Sequence, residues 1–285
     1  MKLATVKIGG KEVAGLVHDN GIVLIKTINE VEQRNWSQSV FGLIESGQLE
    51  DMQEWYKGRG KERVKELPAF AFDDVTYAPI YRNPRKIWGI GMNYVKMRSE
   101  LGGAAGGDPV FFMKPDTSII GAGDTIEIPS QSKKTTAEAE LAIVIGKKCK
   151  NIPEEEALYM IAGYTTALDT TAADIHAENP RFMQRAKSFD TFFSFGPVIV
   201  TKDEVSNVPA LQVATVLNGE IQHENKVENM IYNPAYIVSF LSQVTTLLPG
   251  DIIMTGTPGA TVIRQGDVVE CRIDGFEPLL NSVVQ

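Results

Sequence analysis

Apolar and polar positions trade places in short runs over the first 27 residues. KLATVKI, EVAGLVH and GIVLIKT read as three strands of a small meander, with GGK and DNG as the turns between them. Segments 37–48 and 51–66 carry helical spacing instead, the second with a strongly charged, solvated face. Residues 67–86 hold three prolines and little periodicity, so they read as a connection. This pattern predicts a small N-terminal α/β domain over 1–75 and a larger domain over 76–285.

The larger domain opens on KIWGIG (86–91), a buried strand, followed by SELGGAAGGDP (99–109). Four glycines and two alanines suit that segment to a lid or to a plain surface loop. Short strands are then expected at 110–113, 125–128, 139–145, 164–169, 196–201, 211–217, 251–255 and 267–273. Two helices interrupt them. IPEEEALYMIAG (152–163) has an early proline, glutamates in its first turn and a terminal glycine. NPAYIVSFLSQVTTLLPGD (233–251) stops at Pro249-Gly250. Many strands and few helices predict a β-rich α+β fold of rolled or sandwiched sheets.

Composition adds exclusions. Apolar residues are 43% and charged residues 22%, as in an ordinary globular protein. A net charge of −8 without a long basic run argues against nucleic acid as a partner. No apolar run approaches the ~20 residues of a membrane span, and the opening MKLATVKIGG lacks the apolar centre of a secretory signal. Cys149 and Cys271 form no CxxC motif and no Cys/His cluster, so they read as reduced thiols of a cytoplasmic protein.

The segment TTAEAELAIVIGKK (135–148) carries the candidate chemistry. Residues two apart on a strand share a face, so Glu138, Glu140, Ala142 and Val144 lie together, opposite the apolar Ala139, Leu141, Ile143 and Ile145. Two carboxylates about 5 Å apart repel by roughly 3 kcal/mol at an effective dielectric of about 20. Solvent, a shared proton or a bound cation are the ways to offset that. The strand AGYTTALD (162–169) ends in Asp169 and follows the 152–163 helix, which places it in the same sheet. Three carboxylates then suit a hard cation, Mg²⁺ or Mn²⁺, with Ca²⁺ also compatible; zinc would call for His or Cys.

Other motifs fail or stay open. GIGMNY (89–94) starts like a dinucleotide fingerprint but has Tyr94 where glycine is needed. No GxSxG elbow is present. Lys187, in RAKSFDTFF, either snorkels to the surface or faces the acidic site to neutralise a substrate oxyanion. GDIIMTGTPG (250–259) is either a tight turn or a cradle for a carboxylate.

Taken together and in order, IGMNY, PVFFMKPDTSIIGAGDTIEIP, EAELAIVIGKK, EEEALYMIAGYTTALD, AKSFDTFFSFGPVIV, LNGE, GDIIMTGTPG and GDVVECRIDG resemble the fumarylacetoacetate hydrolase family over about 86–280. The resemblance implies a mixed β-roll or β-sandwich, usually a homodimer, with a divalent metal held by Glu138, Glu140 and Asp169. It implies Lys187 as the active-site lysine, Glu100 as the acid of a lid His–Glu pair, and Thr257, Tyr94 and His176 as substrate contacts. Met97 stands where the lid histidine is expected, Met92 and Ala173 where arginine is frequent, and His176 and His223 where glutamine is frequent. The implied substrate is a small 2-oxo acid, processed through a stabilised enolate. Met97 leaves three outcomes: hydrolysis of an acylpyruvate-type C–C bond, decarboxylation or isomerisation of an oxaloacetate-like or 2-hydroxy-dienedioate acid, or ligand binding with little turnover.

Overall fold

The structure is a computed structural model that describes residues 1–94 and 107–285. Its strands in chain order are β1 (Lys2–Ile8), β2 (Lys11–His18), β3 (Gly21–Leu24), β4 (Thr76–Tyr77), β5 (Ile87–Gly91), β6 (Val110–Lys114), β7 (Ile119–Ile120), β8 (Thr125–Glu127), β9 (Thr135–Ile145), β10 (Ile161–Ala172), β11 (Phe193–Phe195), β12 (Val198–Thr201), β13 (Gln212–Leu217), β14 (Glu220–Lys226), β15 (Ile252–Met254), β16 (Ala260–Ile263), β17 (Val268–Ile273) and β18 (Leu279–Val284). Thirteen of these form one mixed sheet, whose main path runs β3-β2-β1-β12-β10-β9-β15-β5-β6. The other five form a second sheet in the order β14-β13-β17-β18-β8. This is the β-rich architecture expected from the short strand runs.

The centre of the large sheet is the antiparallel pair β9–β10. Every residue of both strands is buried. Alternation still sorts their side chains. Leu141, Ile143 and Ile145 pack toward Val213, Val269, Cys271 and Leu279 of the second sheet. Ala142 and Val144 pack the other way, against Leu43, Trp55, Ile252 and Met254. Burying each such Ile, Leu or Val side chain contributes about 1.5–3 kcal/mol, which fixes β9 between two apolar layers. A slip of one residue would exchange the layers and throw the glutamates into the inter-sheet core. The N-terminal strands extend this sheet: β1 pairs with β12 through Lys2↔Val200, Leu3↔Ile199 and Ala4↔Val198.

Several expected elements have different limits. The 152–163 helix is one turn, Glu154–Ala157, followed by a 3₁₀ turn at Leu158–Met160, and β10 begins at Ile161. The last residues of that segment, IAG (161–163), are taken into the ladder opposite β9, where their burial outweighs local preference. The 233–251 helix runs from Pro234 to Val244, with Asn233 capping it by accepting the Tyr236 N–H at 2.9 Å. It ends at Thr245 because Leu247 is drawn into a backbone bridge with Cys149. The third N-terminal strand stops at Leu24, and Ile25–Glu32 is helical, burying Ile25 and Ile28. The segment expected as a helix over 37–48 is helical only over Val40–Glu45, after which a new helix begins at Gln48. β4, β7, β11, β14, β16 and β18 fall outside the expected strand runs. β14, EIQHENK, is a largely exposed edge strand whose polar composition hides it.

Candidate active site

Register assembles the site. In the β9–β10 ladder Glu138 lies opposite Asp169 and Glu140 opposite Ala167. All three carboxylates are buried, and one oxygen from each lies within 4.8 Å of the others. They line a cleft of about 440 Å³ together with Lys187, His176 and Thr257. Its remaining wall is largely apolar, with Ile90, Met92, Val110, Phe112 and Met183, and also carries Lys134, Thr136 and Thr171.

Lys187 ends the short helix Met183–Lys187, so its ammonium reaches back over the sheet. It donates to Glu138 Oε2 at 2.9 Å and to Asp169 Oδ2, and lies 4.6 Å from the centre of the Phe112 ring. Of the two positions open to it by sequence, it takes the one facing the carboxylates. Burial would lower its pKa, but Asp169 and Glu138 more than compensate and raise it. Lys187 is therefore a fixed cation at neutral pH.

A second lysine escaped the sequence reading. Lys114, at the end of β6, is fully buried with its Nζ 2.7 Å from Asp169 Oδ1. Its three hydrogens have other acceptors: the carbonyls of Thr170 (3.0 Å), Lys187 (2.7 Å) and Phe192 (2.8 Å). Asp169 Oδ1 is thus held in a buried ion pair by an ammonium whose three hydrogens are shared with those carbonyls. Burial pushes Lys114 down to about 8, with Asp169 opposing the shift. The one signal available in sequence was a lysine inside the apolar run VFFMK.

Glu140 is held from a different strand connection. Gly256 N–H donates to its Oε2 at 2.5 Å. Gly256 has φ +100°, and a Cβ there would sit 2.6 Å from Asn93 Cβ, so the loop needs glycine. Asn93 is fully buried and ties this loop down, donating to the carbonyls of Thr255 (2.7 Å) and Tyr232 (3.0 Å). The next residue, Thr257, shares hydrogen bonds with the backbone of Gly259. The Thr-Gly-Thr-Pro segment is accordingly both a constrained turn and a wall of the cleft.

The electrostatics are unbalanced. Three carboxylates face two ammonium groups. Burial, with Asp169 and Glu138 adding, drives Glu140 well above the usual carboxylate range. Burial also raises Glu138, against the opposing pull of Lys187. Asp169 is likewise penalised by burial, but Lys114 and Lys187 hold it below its ordinary value. The donor set suits a hard divalent cation: three converging carboxylate oxygens, with more carboxylates than ammonium groups around them.

The remaining expected residues separate. His176, on the short helix Ala173–Glu178, lines the cleft, and its Nε2 is buried without a partner. Tyr94 is packed in the inter-sheet core, its hydroxyl without a partner, rather than lining the cleft. His223 lies behind the 255–259 loop: a Cβ on Gly259 would be 2.3 Å from its ring. Glu100 and Met97 lie outside the described residues.

A two-sheet β-roll opening on buried carboxylates and a fixed lysine defines a class of small-molecule enzymes built around an acidic centre. The chain belongs to the fumarylacetoacetate hydrolase family: residues 86–284 match the model described as fumarylacetoacetate (FAA) hydrolase, C-terminal. Among its relatives is the mitochondrial oxaloacetate tautomerase fahd2 of Xenopus laevis, 41% identical over 216 residues, which are 73% of this chain and 67% of that protein. Among solved structures, maleylpyruvate hydrolase from Sphingobium sp. SYK-6 in complex with manganese(II) and pyruvate superposes with a TM-score of 0.81 at 26% identity, covering 100% of this chain and 99% of that one. The 5-carboxymethyl-2-hydroxymuconate delta-isomerase of Mycobacterium smegmatis gives 0.77 at 28% identity, covering 100% and 98%. Among the described residues no helix is long and apolar enough to cross a membrane.

Proposed function

We propose that this protein is a Mg²⁺- or Mn²⁺-dependent enzyme that interconverts the keto and enol forms of a small 2-oxo acid. The observation that carries the reading is the convergence of Glu138, Glu140 and Asp169 within 4.8 Å beside the Lys187 ammonium. Those three side chains would hold the ion, which when bound supplies Lewis-acid polarisation of the 2-oxo group. Lys187 contributes a fixed positive charge where an enolate oxygen develops, beside a largely apolar wall that strengthens the interaction. Thr257, which also lines the cleft, would offer its hydroxyl to the substrate carboxylate in place of the Gly259 carbonyl. The tautomerase and isomerase relatives support proton-shift chemistry over bond cleavage.

Hydrolysis of a C–C bond is the second reading, favoured by the likeness to maleylpyruvate hydrolase. It needs an activated water as well as enolate stabilisation, and position 97 carries methionine, which transfers no proton. The test is a panel of oxaloacetate, an acylpyruvate and a 2-hydroxy-dienedioate with Mg²⁺, Mn²⁺ or chelator, using Glu138→Ala as control. Metal-dependent interconversion without new acid products supports tautomerisation. Release of pyruvate with a second carboxylic acid selects hydrolysis. Turnover that survives both the chelator and Glu138→Ala removes the metal reading. Gel filtration with light scattering tests the homodimer proposed for the family fold.

A further inference from the structure

We propose that His176 carries the proton in this cleft, its Nε2 taking hydrogen from C3 of the bound 2-oxo acid and returning it. The proposal rests on the tautomerisation reading and deepens it by naming the acid–base residue.

The titratable side chains lining the cleft among the described residues are Lys134, Glu138, Glu140, Asp169, His176 and Lys187. The carboxylates converge on one another, and two of them accept from Lys187. Lys187 is locked as an ammonium by those two anions, so it has no lone pair to accept a proton. Lys134 is exposed at the rim. His176 remains. Its Nε2 is screened from solvent and meets neither donor nor acceptor. A buried, unpaired atom of this kind gains its missing partner when a substrate hydrogen-bonds to it.

The surroundings keep the ring able to accept. The charged groups on the elements packed against its helix are Arg181 and Arg185 on the chain that follows, Lys187 itself, Glu138 and Glu140 on β9, and Asp169 on β10. Burial, and then the charge of Lys187, hold the imidazole below its ordinary pKa, hence neutral at pH 7. On its own helix Asp174 is turned elsewhere, accepting from Ser132 Oγ at 2.8 Å and from the Lys133 N–H at 2.7 Å.

The step balances without another reactant. The C3–H bond breaks and its proton passes to Nε2. The C–H electron pair becomes the C2=C3 double bond, and the carbonyl π pair moves onto O2 beside Lys187. The imidazolium then gives the same proton to O2, completing keto to enol, and the reverse sequence returns it to C3.

The experiment follows enol–keto interconversion of oxaloacetate and C3 deuterium exchange of pyruvate in D₂O, with Mn²⁺ titrations alongside. Wild type, His176→Gln, His176→Ala and Glu138→Ala are compared. His176→Gln should lower kcat about 10²–10⁴-fold, the usual contribution of a general base, while KM and Mn²⁺ affinity stay within twofold. The acidic limb of the wild-type pH–rate profile should vanish, and free imidazole should restore part of the His176→Ala rate. An unchanged rate and pH profile in His176→Gln, with Glu138→Ala inactive, overturns the proposal and leaves the metal reading standing. Parallel loss of Mn²⁺ affinity in both His176 variants marks a merely structural residue and also overturns it. Absence of metal-dependent exchange in wild type overturns the tautomerisation reading and this proposal with it.

Discussion

Glu138 and Asp169 are paired residues of one antiparallel ladder, and Lys187 donates a hydrogen bond to each across that pairing. Glu138→Gln keeps the shape and removes one of the two anions on Lys187. Its Mn²⁺ affinity should fall by at least about 10–100-fold, the loss typical even of changes one shell further out. Isothermal titration of the variant against wild type checks this, and equal affinities would remove Glu138 from the ligand set.

Metal-dependent stability should vary with pH. The carboxyls of Glu138 and Glu140 titrate above their unfolded values, so in metal-free protein the folded state holds more protons than the unfolded one through that interval. Stability therefore falls as pH rises from the ordinary carboxylate range through the raised folded values. Asp169, held low, contributes in the opposite sense: its share is present above its unfolded value and lost as pH falls through its depressed folded one. A bound ion replaces the protons of the two glutamates, and at a hundredfold excess over Kd adds about 2.7 kcal/mol. The Mg²⁺-induced rise in Tm should thus be larger at pH 8 than at pH 5 in a thermal-shift titration.

Lys114→Met should be the most costly single change near the site. It removes one of the two cations on a buried aspartate and strands the carbonyls of Thr170, Lys187 and Phe192. Breaking a buried ion pair from one side costs about 3–5 kcal/mol. Urea unfolding should register that loss, and a midpoint equal to wild type would show that the ammonium is dispensable.

Gly256→Ala should cost about 1–3 kcal/mol, because φ +100° is strained for any L side chain and the new methyl meets Asn93. Displacement of its N–H from Glu140 Oε2 should weaken Mn²⁺ binding as well. Gly47→Ala, also at positive φ but with open space around its Cβ, is the comparison: it should carry the backbone strain alone and leave metal affinity unchanged.

The acidic residues were legible in sequence because a strand's period of two is rigid. It put Glu138 and Glu140 on one face, and the following apolar strand could then bring only its own end, Asp169, to meet them. What sequence left open was their surroundings. Nothing local reveals that the glutamate face is buried, since Ala142 and Val144 are covered by Leu43 and Trp55 from nearly a hundred residues earlier. Nor does VFFMK disclose that Lys114 reaches Asp169, because that contact depends on where β6 lies relative to the rest of the sheet. The helix over 152–163 failed in the same way: its last residues had a partner strand waiting, and pairing overrode spacing.

The centre also draws on segments far apart in the chain. Glu138 and Asp169 come from one hairpin-like pair, while the donor on Glu140 comes from residue 256 and the cation on Asp169 from residue 114. Any ion seated among these oxygens is a rivet through distant strands of one sheet. Its occupancy is therefore expected to be felt well beyond the cleft, as slower amide exchange along β15 and at the end of β6, where the backbone itself touches nothing that reacts.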